Sequence, residues 1–412
     1  MKSLLFIGFL GALSISSVSA TPSSNTVDLA TALASMLERH PALSGKQAQI
    51  DAKGFQLKSA ESERFPSATF NIGQDLDDRQ DGTLTVKQPL WAFGRIDASI
   101  DYANTALSAE ALDKIRLSRE LLEDTATAYA EVLGVKEQIE IVDQNIEQHE
   151  LFLEQITRRK NGRLASETDT QLAASRLTQA RAQAIQMQSQ YRDALMTLQT
   201  FTQLTINQVL PISNATLKSL ASDETILTQV LERSADVQHK EKLAELALKD
   251  IDRQKSQLYP TVYLNVSHDL GDRTNFGNET RVSLTLESSL QGLGFVTMYR
   301  VQSSNSQLEA ARKDIEVIQF DLRNRLNSLL LNRQTQRSLI DIHQSSIDTL
   351  NATLASYQRQ YKSGRKEWLD VLNVQREITE QKLSQSQARN SLLINALNIM
   401  ALTGDLDRLV RE

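Results

Sequence analysis

From Arg95 to Lys160 the chain runs for 66 residues with no proline and one internal glycine, Gly134. Proline removes a backbone donor and clashes with the preceding turn, so a stretch without it that is rich in Ala, Leu, Glu and Gln reads as one continuous helix. At 1.5 Å per residue that helix would be ~100 Å long, far beyond the usual three turns. Such a helix cannot sit inside an ordinary globular core. It has to find partners along its length. Val132, Val135, Ile139, Val142, Ile146, His149, Leu153 and Ile156 recur at three- and four-residue steps, the seam of a coiled coil. Beyond a turn at Gly162, the same spacing returns through Leu177, Ala180, Ala184, Met187, Tyr191, Ala194, Leu198 and Phe201. The reading is an antiparallel helical hairpin.

The plan is written twice. Leu37-Glu38-Arg39 recurs as Leu231-Glu232-Arg233, Pro66 as Pro260, and Asp75-Leu76-Asp77-Asp78-Arg79 as Asp269-Leu270-Gly271-Asp272-Arg273, all 194 residues apart. Phe93-Gly94 then answers to Leu293-Gly294, and Lys160-Asn161-Gly162-Arg163 to Lys362-Ser363-Gly364-Arg365. A second seam follows, Ile340, His343, Ile347, Leu350, Leu354, Tyr357 and Tyr361, returning through Val371, Val374 and Ile378. The expected organisation is a signal peptide at 1–20, a first repeat at 21–210, a linker at 211–224 and a second repeat at 225–412. Each repeat reads as a helix, two short strands, a very long helix, a glycine turn and a returning helix.

The strands carry a period of two. Ala68, Phe70 and Ile72 share one face of the first strand, Leu84 and Val86 one face of the second, then Val262, Leu264 and Val266, and Val282, Leu284 and Leu286. Asn71, Thr85, Lys87, Asn265, Ser267 and Thr285 take the opposite faces. Strands of eight or nine residues approach the ~9–11 of a tilted membrane strand. By pattern alone, a small soluble sheet packed on the helices is an equal reading. If the strands do cross a membrane, four cannot close a barrel, and an open edge in lipid leaves backbone groups unsatisfied at several kcal/mol each. Several chains would then share one barrel. Eight strands fill their own interior, so an open lumen requires three chains or more.

Lys2, the apolar run Leu4 to Leu13 and Val18-Ser19-Ala20 read as a secretory signal cleaved before Thr21. The chain has no cysteine, which removes disulfides, thiolate metal sites and thiol nucleophiles. A net charge of -6, with acids and bases interleaved, offers no stripe for nucleic acid. There is no phosphate-binding glycine loop, zinc helix motif or nucleophile elbow, so neither an enzyme nor a cofactor is expected. His149 and His343 fall on helix seams, where packing is the simpler role. Ser166 followed by Asp169 reads as a capping box, and Asp370 as a first-turn acid favoured by the helix dipole.

Signal, duplicated halves, strands and distant glycine turns together resemble the TolC-type outer-membrane efflux and secretion channels over the whole mature chain. Gln88-Pro89-Leu90-Trp91-Ala92-Phe93-Gly94-Arg95 is similar to the segment leaving the second strand in that family. Tyr361-Lys362-Ser363-Gly364-Arg365-Lys366-Glu367-Trp368-Leu369-Asp370-Val371-Leu372 is similar to the hairpin tip that shapes the periplasmic aperture.

The resemblance implies a mainly α fold with a small β part. Long hairpins would form an α-barrel, and four transmembrane strands per chain would form a 12-stranded barrel in a homotrimer. Most of the chain would lie in the periplasm. The expected role is an outer-membrane tunnel serving type I secretion or efflux, with a periplasmic adaptor (membrane fusion protein) and an inner-membrane ABC or RND transporter as partners. The segment from Gln88 to Arg95 is most similar to the branch serving secretion of large adhesins. Tyr361, Arg365, Lys366, Asp370 and Asp169 become the expected aperture residues, Gly162, Arg163, Gly364 and Arg365 the adaptor-docking tips, and the polar strand residues the barrel lumen. Asn373 stands where the family commonly has a second acid, and Thr168 where the first hairpin would have one. The competing expectation is a periplasmic coiled-coil adaptor or scaffold, which would have one central hairpin and no duplicated plan.

Overall fold

The computed structural model describes residues 26–74, 80–212, 223–270, 280–289 and 291–410. The expected signal peptide, the acidic loop Asp75 to Arg79, Asp272 and most of the linker lie outside the described residues. The chain runs β1 (Thr26–Val27), α1 (Leu29–Arg39), α2 (Pro41–Ser62), β2 (Ser67–Gln74), β3 (Gln80–Trp91), α3 (Arg95–Asn161) and α4 (Glu167–Thr202). It continues with β4 (Gln208–Val209), α5 (Asp223–Arg233), α6 (Ala235–Ser256), β5 (Thr261–Asp269), β6 (Thr280–Glu287), α7 (Phe295–Lys362), α8 (Trp368–Thr403) and α9 (Leu406–Leu409).

The duplication is visible in the element lengths. α1 and α5 have 11 residues each, α2 and α6 have 22, α3 and α7 have 67 and 68, and α4 and α8 have 36. Two details differ from the sequence reading. Each half opens with two helices where one was expected. In the first half His40 is extended, its Nδ1 accepts from the Ala42 amide at 3.3 Å, and Pro41 starts the next helix at the position where its missing N–H costs nothing. In the second half Ser234 plays the same part, accepting from the Val237 amide. The other difference is β3, which has 12 residues because pairing continues through Pro89 to Trp91 across a register shift.

β2, β3, β5 and β6 form one antiparallel sheet in the order β2-β3-β5-β6, so the two repeats meet at β3 and β5. β2 and β6 are left as edges. Below the sheet, α2, α3, α6 and α7 lie side by side, and α3 and α4, α7 and α8 form the two long hairpins, joined where α3 packs on α8. No described helix is long and apolar enough to cross a membrane.

The largest core sits midway along the hairpins, where Leu33, Met36, Leu122, Tyr129, Leu198, Leu397 and Leu406 are almost completely buried. It is sealed by a feature that the repeat pattern did not disclose: β1 pairs in parallel with β4, through Val27 and Val209. The buried Tyr129 hydroxyl reaches both Leu210 O at 2.6 Å and Val27 O at 3.0 Å. It thereby ties the start of the first repeat to its end. Burial pushes this hydroxyl's pKa up, so it stays protonated and able to donate.

Candidate functional site

The four-stranded sheet has two chemically opposite faces. Directly paired residues in an antiparallel sheet share a face, and the register places Ala68, Val86, Val266 and Val282 in one row across all four strands. Leu264 and Leu284 stand next to it on the same face, and Phe70 opposite Leu84 beyond. Ile72, Val282, Leu284 and Leu286 are each about two-thirds exposed or more, at 71%, 67%, 67% and 66%. A surface this apolar in water would be an aggregation hazard; in hydrocarbon it is at home.

The other face is mainly polar, with Pro89 and Tyr263 in the row of Thr285. Thr69, Thr85, Ser267 and Arg281 form one row, Ser67, Lys87, Asn265 and Ser283 the next, and Asn71 lies opposite Thr83. All six polar strand residues singled out from the sequence share this face. Their side chains are knitted together: Asn265 donates to Thr285 at 2.6 Å, Lys87 meets Glu287 at 2.7 Å, and Arg281 meets Asp269 at 2.6 Å. The register shift at Pro89 then turns Trp91 onto the apolar side opposite Val262. Trp91 is 65% exposed and stacks on Phe93 at 5.1 Å between ring centres. An indole at the end of an apolar band is the residue type that favours a membrane–water boundary. Proline, which cannot donate to a ladder, supplies the interruption that places it there.

At the far end, both hairpins turn by the same geometry. α3 closes with Leu164 N donating to Arg159 O at 2.8 Å, and α7 with Arg365 N donating to Gln360 O at 2.9 Å, the pattern of a helix ended by one left-handed residue. That residue is Arg163 (φ 61) in the first tip and Gly364 (φ 73) in the second. Here the sequence alignment of the repeats is corrected by one residue. Gly162 has φ -80 and corresponds to Ser363, not to Gly364. The cause is that identity matches glycine to glycine, 202 residues apart, whereas the glycine of the first tip stands one residue before the left-handed position. Gly162, Arg163, Gly364 and Arg365 are all exposed.

The returning helices start alike as well. Ser166 caps α4, with the Asp169 amide donating to its Oγ at 3.0 Å and the Ser166 amide donating to the Asp169 carboxylate at 3.2 Å. In α8 the Glu367 amide donates to Asp370 at 3.4 Å, and Lys366 lies 3.4 Å from the same carboxylate. Asp169 and Asp370 are therefore equivalent third residues of their helices, an identity that the sequence offsets blurred.

Tyr361 lies between the hairpins. Its ring is 4.9 Å from Trp368 and 5.0 Å from the Arg159 guanidinium of the first hairpin. Burial first, and the nearby Asp169 carboxylate second, raise its pKa. Trp368, 3% exposed, meets Phe152 edge-on at 5.4 Å, and with Ile156, Val371 and Leu372 it locks the two tips together. Arg159 and Trp368 were given no role from sequence. Trp368 lies inside the tip segment quoted for the resemblance, and a tryptophan in a chain with only two was the available signal.

An open sheet with one lipid-compatible and one water-compatible face, mounted on hairpins of ~100 Å, defines a channel-tunnel of the outer membrane. The chain belongs to the family described as Outer membrane efflux protein, whose profile matches residues 32–202 and 226–405, one block in each repeat. It is similar to the pyoverdine export outer membrane protein OpmQ of Pseudomonas putida, with 25% identity over 326 residues, 76% of this chain and 68% of that protein. With the outer membrane protein TolC of Escherichia coli it shares 24% over 310 residues, 70% of this chain and 62% of that one. Among solved structures, CusC superposes with a TM-score of 0.78 at 14% identity, covering 92% of this chain and 93% of that one. VceC from Vibrio cholerae superposes with 0.75 at 15% identity, covering 91% and 96%. The sheet accordingly sits in the outer membrane, and the helices extend into the periplasm.

Proposed function

We propose that three copies of this chain close into one continuous conduit that carries cargo from an inner-membrane transporter, through a periplasmic adaptor, to the cell exterior. The observation that carries this reading is the sheet whose edge strands β2 and β6 have no further partner among the described residues, with its two opposed faces. Three sheets joined edge to edge give twelve strands, enough to leave a water-filled lumen, and leave no edge in lipid. The Asn71, Thr85, Lys87, Asn265, Ser267 and Thr285 face becomes the lumen. The conduit is passive: it supplies the path, and the transporter, of the ABC or RND class, supplies the energy.

The exposed tips at Gly162, Arg163, Gly364 and Arg365 are the surfaces offered to the adaptor. Asp370, half-exposed beside Lys366, with Asp169 as its repeat counterpart, provides carboxylates at the periplasmic mouth. Tyr361 and Trp368 hold the two hairpins in register there. The residues from Gln88 to Arg95 favour protein secretion, whereas the relative named for pyoverdine export favours small molecules. Export assays in a deletion strain for a secreted adhesin and for a small-molecule dye separate the two.

The faces are tested by charge placement. Leu284→Arg puts a cation in mid-bilayer at a cost of ~2–4 kcal/mol and should block insertion, whereas Thr285→Arg on the lumen side should insert and alter conductance. Equal tolerance of both changes would count against a membrane sheet. At the mouth, Asp370→Ala should weaken block of single channels by a trivalent cation in planar bilayers. Block unchanged from wild type would remove Asp370 from the aperture.

A further inference from the structure

About 20 Å along α3 from its tip, where α3, α4 and α8 meet, lies a pocket of ≈ 180 Å³ lined by His149, Arg176, Gln179, Arg376, Thr379 and Glu380, among others. Its polar lining is incompletely satisfied. His149 is 4% exposed and its Nδ1 meets no hydrogen-bond partner among the described residues; the same holds for the buried Nε–H of Arg176. Arg176 reaches Gln179 with one terminal nitrogen at 3.0 Å and forms no ion pair among the described residues. Arg376, more than half exposed, meets Glu380 only at 3.8 Å at the mouth. The lining thus carries one net positive charge with the imidazole neutral and two with it protonated.

Guanidinium cannot shed its proton, so a partly buried one without a carboxylate is a standing demand for an anion. The space accepts a few heavy atoms and some water, since one water occupies ~30 Å³. Nε–H, imidazole N–H and the side-chain amide of Gln179 are donors of the kind that fit several oxygens of one small ion, whereas the Thr379 hydroxyl is taken by Asn145.

We propose that this pocket binds a small doubly charged oxyanion of the sulfate or phosphate class, held by Arg176 and His149 against Arg376, which ties the first hairpin to the second. The site belongs to the hairpin seam of each chain and does not depend on what the conduit exports. Filling it links α4 to α8 across α3, on the sheet side of the buried cluster around Trp368 that holds the two tips together.

The test is calorimetric titration of the full chain in detergent with sodium sulfate, ionic strength being held with sodium chloride. One sulfate per chain is expected to bind saturably. Arg176→Gln should weaken it about tenfold and His149→Gln several-fold, as charge-assisted bonds are lost. Arg181→Gln on the same helix, whose partner Glu150 lies 2.8 Å away outside the pocket, should bind as wild type does. His149→Gln keeps a polar side chain of similar reach and covers the case in which Arg176→Gln does not fold. Absence of saturable sulfate binding, or sulfate binding by both pocket variants equal to wild type, would overturn the proposal. Acetate binding as tight as sulfate would overturn the assignment to a dianion.

Discussion

Arg163 and Gly364 occupy the same left-handed position at the two hairpin tips, yet only one of them is suited to it. A side chain in that conformation costs roughly 1–2 kcal/mol that glycine escapes. A Cβ at Gly364 would meet nothing within 4 Å, so the penalty of Gly364→Ala is conformational and not steric. We expect that change to weaken local protection at the second tip by about 1 kcal/mol and Arg163→Gly to strengthen the first by a similar amount, read as amide hydrogen exchange of the tip peptides. Gly162→Ala should leave exchange nearly unchanged, because φ there is ordinary and the nearest contact of a Cβ is 3.5 Å. The sequence could show that a turn was present at each tip. It could not show which residue turned, because Lys, Gly and Arg recur at the same spacing in both tips and identity alone sets glycine against glycine.

Along the hairpins, the seam between α3 and α8 is polar as well as apolar. Asn145, 7% exposed, accepts from Gln375 at 3.3 Å and from Thr379 at 2.8 Å, one turn of α3 before the buried His149. Burial first, then the charge of Arg176, holds the His149 imidazole below its ordinary value of 6.5. The charged groups around it are Arg176 from α4 and Arg376 and Glu380 from α8. The unfolded chain therefore takes up this proton at a higher pH than the folded one. Stability from this site is complete above pH 6.5 and is lost as pH falls below it. The thermal midpoint should drop between about pH 7.5 and 5.5, and His149→Gln should flatten that slope; a slope unchanged in the variant would place the acid sensitivity elsewhere. Heptad spacing made the seam legible, His149, Val142 and Ile156 included, because periodicity is a property of one helix at a time. Asn145 and the pocket beside it were not legible, since their meaning comes from α8, 230 residues further along the chain. The β1 and β4 pair escaped for the same reason, two residues being too few for any period.

For the whole molecule, closure of the sheet makes a specific demand on neighbours. β2 of one copy has to pair with β6 of the next, since these are the two edges. The chain has no cysteine, so single cysteines placed at Thr69 and Ser283 report cleanly on that contact. Oxidation should produce linked dimers and trimers when both are present; since the two positions are ~14 Å apart within one sheet, monomer alone would sink the ring. The same two open edges also govern how quickly the channel can appear. A monomer or a pair still leaves strand edges that lipid will not accept, so insertion has to await the third copy. If encounter of the three is limiting, the rate of channel formation follows the cube of the free chain concentration, and a twofold fall in supply slows it roughly eightfold. A cell would then control its number of export paths far more sharply than the amount of protein it makes.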